Sequence, residues 1–172
     1  MIALTIALTL TTGAVDRLGK VTLGGLVFKG PVDWQKSEPD ENSIQWDEPE
    51  SGAVMAVSVF PVDPQRPAKA CVNQMVEALG KEGYVATTLG GQAASKKAVT
   101  DQLADPNAQP IPNPDGGEPL PPPRTGDKVT TTTIVGCNGK TKWLLTWTAK
   151  TSEGARFGPI LKRVMESISY GK

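Results

Sequence analysis

Between Val129 and Tyr170 the apolar positions change period once, and the change predicts a strand–turn–strand–helix unit at the centre of the fold. In the stretch 140–150, Trp143, Leu145 and Trp147 alternate with Lys142, Leu144, Thr146 and Thr148. One face is therefore bulky and apolar, the other mostly polar. The preceding stretch, 129–137, mixes valine and isoleucine with Thr130–Thr133, branched side chains that fit a pleated surface. Asn138-Gly139 joins the two arms, and this dipeptide predicts a type I′ turn with positive φ at both residues. Further on, Phe157, Ile160, Leu161, Val164 and Ile168 recur at three- and four-residue steps, the apolar stripe of a helix over 155–169. Burying five such side chains contributes about 10 kcal/mol before ordering entropy is subtracted.

Upstream, residues 20–29 read as one strand interrupted at Gly24-Gly25 by a bulge or bend. A short strand follows at 43–46. The run Ala53–Phe60 is almost continuously apolar and ends at Pro61, the pattern of a strand buried on both faces. A first helix is predicted over 67–82, with Pro67 in its first turn and Gly83 as its stop. Its buried stripe is Ala68, Cys71, Val72, Met75, Val76 and Leu79. Strands near 84–88 and 93–100 flank the Gly90-Gly91 turn. Residues 101–128 break the pattern, holding eight of the fifteen prolines and few large apolar side chains. They read as a long exposed loop between two strands, with a docking arm as the functional alternative. Residues 1–14 have two readings. They resemble the apolar core of an export signal, though without a positive start. They also alternate apolar and small residues as a strand does. At that length they cannot span a bilayer as a helix. The expected fold class is α+β: one domain over 15–172, a twisted antiparallel sheet whose apolar side is roofed by helices 67–82 and 155–169.

Composition narrows the chemistry. Lys plus Arg equals Asp plus Glu at 18 each, so no general attraction to nucleic acid or anionic lipid is expected. Between Glu38 and Glu50 six carboxylates follow one another without a base, and from Lys140 onward seven bases face two acids. These read as a solvated acidic loop and a basic helix face, or as a polar edge for docking a protein. The chain has no histidine, which removes histidine triads, dyads, metal ligands and pH switches. Two cysteines alone cannot complete a zinc site. Gly136–Thr141 superficially resembles a phosphate loop, but Ile134 stands where the motif needs glycine. Asp105, Asn107, Asn113, Asp115 and Glu118 lack calcium-loop spacing and read as turn formers. Asp47 and Glu48 sit in an exposed-looking stretch and are assigned no acid–base role. The expectation is a protein without cofactor, metal or catalytic residues.

Two groups remain as candidate sites. Cys71 and Cys137 could form a disulfide closing 65 intervening residues, or remain two buried thiols. Trp34, Trp46, Trp143 and Trp147 could line a ligand or partner surface, or pack the core.

The order of elements, with Leu26-Val27-Phe28 followed by Pro31 and Trp34 and the closing segment Trp143–Tyr170, resembles the PsbP-like superfamily. That group includes the extrinsic photosystem II subunit, a Ran-binding nuclear import factor and DcrB-like bacterial envelope proteins. Chaperones for type VI secretion effectors also belong to it. The resemblance implies an antiparallel sheet flanked by helices and a non-enzymatic role in binding other proteins. It carries no residue-level role to any position of this chain. The expected function is a periplasmic or secreted accessory protein with a protein partner. The alternatives are a cytoplasmic secretion chaperone and a small-ligand or lipid carrier with a tryptophan-lined cleft.

Overall fold

The computed structural model describes residues 17–62, 66–103, 113, 116–118, 124 and 126–171. The segment 1–14, read above as an export signal or a strand, lies outside the described residues, as does most of the proline-rich stretch.

The predicted hairpin is the middle of a seven-stranded antiparallel sheet. Its arms are β8 (Lys128–Cys137) and β9 (Thr141–Lys150), with Ile134 opposite Leu145 and Val135 opposite Leu144. On the β9 side follow β5 (Val54–Pro61), β4 (Ser43–Asp47) and β3 (Gln35–Asp40). On the β8 side follow β7 (Gln92–Gln102) and β6 (Val85–Leu89). A second sheet of three strands comprises β1 (Leu18–Leu23), β2 (Leu26–Pro31) and β10 (Ser169–Tyr170). The helices are α1 (Ala68–Ala78) and α2 (Gly154–Glu166), the latter entered through a 3₁₀ turn at Thr151–Glu153.

The α+β class stands, and several local expectations are corrected. Gly24 and Gly25 do not bulge one strand. With φ of 50° and 83° they turn the chain back, so that Leu23 pairs with Leu26 and Leu18 with Pro31. The Asn138-Gly139 turn is not type I′. Gly139 has φ 88°, but no described residue other than glycine has positive φ. Instead the Asn138 side chain accepts hydrogen bonds from the amides of Lys140 (2.9 Å) and Thr141 (2.7 Å), a longer loop built on an Asx turn. Helix α1 is shorter than expected, its ladder closing at Leu79 and Gly80 rather than at Gly83.

The helices also lie on opposite faces of the large sheet. Neighbouring residues on a strand point to opposite sides. Ile134 belongs to the main core with Phe157, Ile160, Leu161 and Val164 of α2. Val135 belongs to a smaller cluster with Cys71, Val72 and Val76 of α1. The three-stranded sheet contributes Leu23, Leu26 and Phe28 to the α2 side. On the other side α1 packs on β7 and β8. This explains β5: Met55, Val57 and Val59 are buried, while Val54, Ala56 and Ser58 on the α1 side are only partly covered. The strand is half-buried, not buried on both faces.

Beyond α1, the second face of the sheet carries cross-strand hydroxyl pairs beside Val54 and Ala56. Thr131 and Thr148 hydroxyls bond each other at 3.0 Å, as do those of Ser43 and Ser58. Both pairs are direct cross-strand neighbours.

Candidate functional site

Cys71 sits in the first turn of α1 and Cys137 ends β8. The structure brings them to disulfide distance, with Cα atoms 6.3 Å apart, inside the small apolar cluster. The bridge thus fastens α1 to the face of the sheet opposite α2.

Glu48 is the one carboxylate that sequence reasoning misplaced. It follows β4 in the acidic run, yet its side chain is only 7% exposed. The run is not one solvated loop: Glu38 and Asp40 belong to β3, Asp47 ends β4, and Glu48 turns inward. One carboxylate oxygen accepts bonds from the Ser51 amide (2.6 Å) and the Ser51 hydroxyl. The other accepts from Arg156 Nη2 at 3.2 Å, and the guanidinium lies 4.7 Å from the Phe157 ring centre. The constellation ties the β4–β5 turn to the start of α2. Ser51, three residues on, was a legible local partner; Arg156 is 108 residues away and was not.

Burial alone would raise the Glu48 carboxyl. The Ser51 hydroxyl and amide, followed by the Arg156 charge and its hydrogen bond, outweigh burial and hold it below the ordinary carboxylate range. A depressed folded-state value contributes stability that is complete above the ordinary pKa of about 4.3. That contribution is lost as pH falls through the folded-state value. Glu48→Gln is therefore expected to lower unfolding stability by about 1–3 kcal/mol at pH 7. The gap from wild type should shrink under acid conditions. Urea titrations at neutral and acid pH measure both effects, and an equal gap at the two pH values would contradict the assignment.

The four tryptophans are the heart of the main core, none more than 5% exposed. Of the two readings, a ligand or partner surface or core packing, their burial agrees with the second, and Trp34, Trp46 and Trp147 pack against aromatic neighbours. Trp34 lies 5.3 Å from Trp147 and 5.7 Å edge-on from Phe157, while Trp46 meets Phe28 at 5.8 Å. Trp143 donates its indole N–H to the Tyr170 hydroxyl at 3.0 Å, and burial raises that hydroxyl's pKa against the lowering effect of this bond. In β9, alternation with lysine and threonine is what turns Trp143 and Trp147 inward. Trp147 borders a shallow groove of about 210 Å³ with Phe157 and Leu161, and Trp34 and Trp46 border another of about 260 Å³. Pockets that enclose small ligands run to roughly 300–1,000 Å³. A third groove of about 330 Å³ runs between β1 and the β3–β4 hairpin, past Lys20, Lys36, Glu38 and Asp40. Among the described residues no group of histidine, cysteine or carboxylate side chains could hold a metal ion. No helix of the described residues is long and apolar enough to cross a membrane.

These features define the class: an α+β sandwich with the PsbP-like fold, its helices on the two faces of an antiparallel sheet and one helix cross-linked to it. Solved structures support that assignment. The solution structure of cyanobacterial PsbP (CyanoP) from Synechocystis superposes with a TM-score of 0.56 at 9% identity, over 92% of this chain and 95% of that one. LpqN of Mycobacterium tuberculosis, described as involved in cell envelope biogenesis, gives 0.52 at 15% identity over 91% of each chain. A Bacteroides thetaiotaomicron protein gives 0.60 at 14% identity over 88% of this chain, which spans about half (47%) of that protein's length. At these identities the likeness is one of fold. No family model matches the sequence, and no curated protein matches it either.

Proposed function

We propose that this is a non-catalytic accessory protein of the cell envelope or of the secreted fraction, and that it acts by binding another protein. The observation that carries the reading is the Cys71–Cys137 pair, set at bonding distance within a packed cluster. Such bridges persist in oxidising compartments and are rare where thiols are kept reduced. The fold shared with an envelope-biogenesis protein and with CyanoP agrees with that location. On the chemical side, the buried Glu48 carboxylate is spent on Ser51 and Arg156, and the ion pairs of Arg17, Lys36 and Lys150 lie on the surface. The chain offers surface rather than reactive groups. A cytoplasmic secretion chaperone would leave the cysteines reduced. A carrier would need more room than the grooves beside Trp147 and Trp34 provide.

Affinity capture from separated native fractions tests the reading. The expected result is a stoichiometric protein partner from the extracytoplasmic fraction, together with a Cys71–Cys137 peptide found linked without reduction. Recovery of the chain with both thiols free from the cytoplasmic fraction would overturn it.

A further inference from the structure

Among the described residues the large sheet ends in β3 on one side and β6 on the other, and the two edges are built differently. β3 carries Lys36, Glu38, Pro39 and Asp40, and its pairing with β4 breaks step between Ser37 and Asp40. Charge, proline and irregular pairing are the devices that stop an edge strand from joining another chain. β6 has none of them. Its residues are Val85, Ala86, Thr87, Thr88 and Leu89, uncharged, without proline, and in unbroken pairing with β7 from Val85–Lys96 to Leu89–Gln92. Val85 is 69% exposed, more than any other large apolar side chain described.

We propose that β6 is an interface at which two copies of this chain pair antiparallel, about a two-fold axis at Thr87, joining their large sheets into one. A two-fold interface must be complementary to itself, because residue i meets j while j meets i. The β6 sequence meets that demand. In this pairing Val85 faces Leu89 of the second copy, Ala86 faces Thr88, and Thr87 faces its own counterpart. The apolar Val85 is thus set against the apolar Leu89 at both ends, and a threonine pair is favourable across strands. Charge does not oppose the contact. Lys96 and Lys97 stand on β7, with the Lys97 ammonium held over the Tyr84 ring, and before the strand Lys81 is paired with Glu77 and offset by Glu82. The two β7 strands would lie about 14 Å apart at ordinary strand spacing, beyond the roughly 8 Å over which salt leaves charges unscreened. A charged foreign segment would find no opposite charge on β6. Five residues make a small interface, so the association is a concentration-dependent equilibrium. The inference is independent of the partner-binding reading and holds or fails separately.

Sedimentation velocity on the full chain between about 1 and 500 µM tests it, a range suited to weak interfaces. The expected result is a monomer that doubles in mass toward the top of the range, and Val85→Lys is expected to raise the midpoint at least tenfold. That side chain is mostly in solvent, so the variant should fold, which circular dichroism verifies. A second measurement does not depend on it. Thr87→Cys should give a covalent dimer under mild oxidation, whereas Ser37→Cys on the β3 edge should not. A monomer at every concentration, a dimer indifferent to Val85→Lys, or equal cross-linking at positions 87 and 37 would each overturn the proposal.

Discussion

Gly136→Ala is expected to lower unfolding stability by about 3 kcal/mol, the largest effect foreseen for adding a single methyl group. Gly136 lies in β8 directly opposite Trp143 of β9, and the indole lies across the glycine. A Cβ there would overlap Cζ2 and Cε2 of the ring and stand 2.8 Å from Nε1. Backbone strain is not the cause, since Gly136 is not among the residues with positive φ. The ring has nowhere to go. Trp143 is fully buried, and its N–H is bonded to Tyr170, whose strand pairs with β2. Moving it would break that bond and disturb the junction of the two sheets. Gly154→Ala adds the same methyl at the start of α2, where the backbone is already helical and nothing lies within 4 Å of the new Cβ. There it should stabilise by about 0.5–1 kcal/mol, because alanine loses less entropy than glycine in a helix. Urea midpoints at unchanged m-value compare the two. Equal midpoints for Gly136→Ala and wild type would show that the core yields more easily than its packing implies.

What could be read from the chain alone followed from periodicity over long stretches. The alternation in 140–150 placed Trp143, Leu145 and Trp147 inward, and the three- and four-step pattern placed Phe157, Ile160, Leu161 and Val164 on one side of α2. The features missed depend on contacts distant in sequence. Neither helix's stripe says which face of the sheet it will cover. That was decided by the opposite parity of Ile134 and Val135, each claimed by a different cluster. Gly24-Gly25 is compatible with a bulge or a reversal, and only the packing of Leu23 and Leu26 into the core selects reversal. The acidic stretch concealed Glu48 for the same reason. A carboxylate among carboxylates looks solvated until an arginine more than a hundred residues later is found beside it. Threonine-rich β8 gave no hint that its second face would stay largely polar beyond α1. Helix α1, with 11 residues, packs mainly on β7 and β8, its cluster reaching only Leu144 of β9.

Replacing Cys71 and Cys137 together by alanine is expected to lower stability by about 4 kcal/mol, the chain-entropy value for a closed loop of this length. The loss should fall unevenly over the molecule. Helix α1 has 11 residues, no side-chain cap, and only Cys71, Val72 and Val76 fully buried. A helix that short is marginal in water without tertiary support. The α2 side of the sheet has its own larger core and does not depend on the bridge. In the variant the amides of residues 71–78 should therefore exchange with solvent well before those of β9, whereas in the bridged protein the two regions should be protected together. A global loss below about 1 kcal/mol, with α1 still protected, would mean that packing on Val135 and Leu144 suffices to hold the helix. The bridge would then owe its presence to the compartment rather than to stability. A loss near the full value with α1 opening first would make this helix a cover that oxidation keeps closed over Val135 and Leu144.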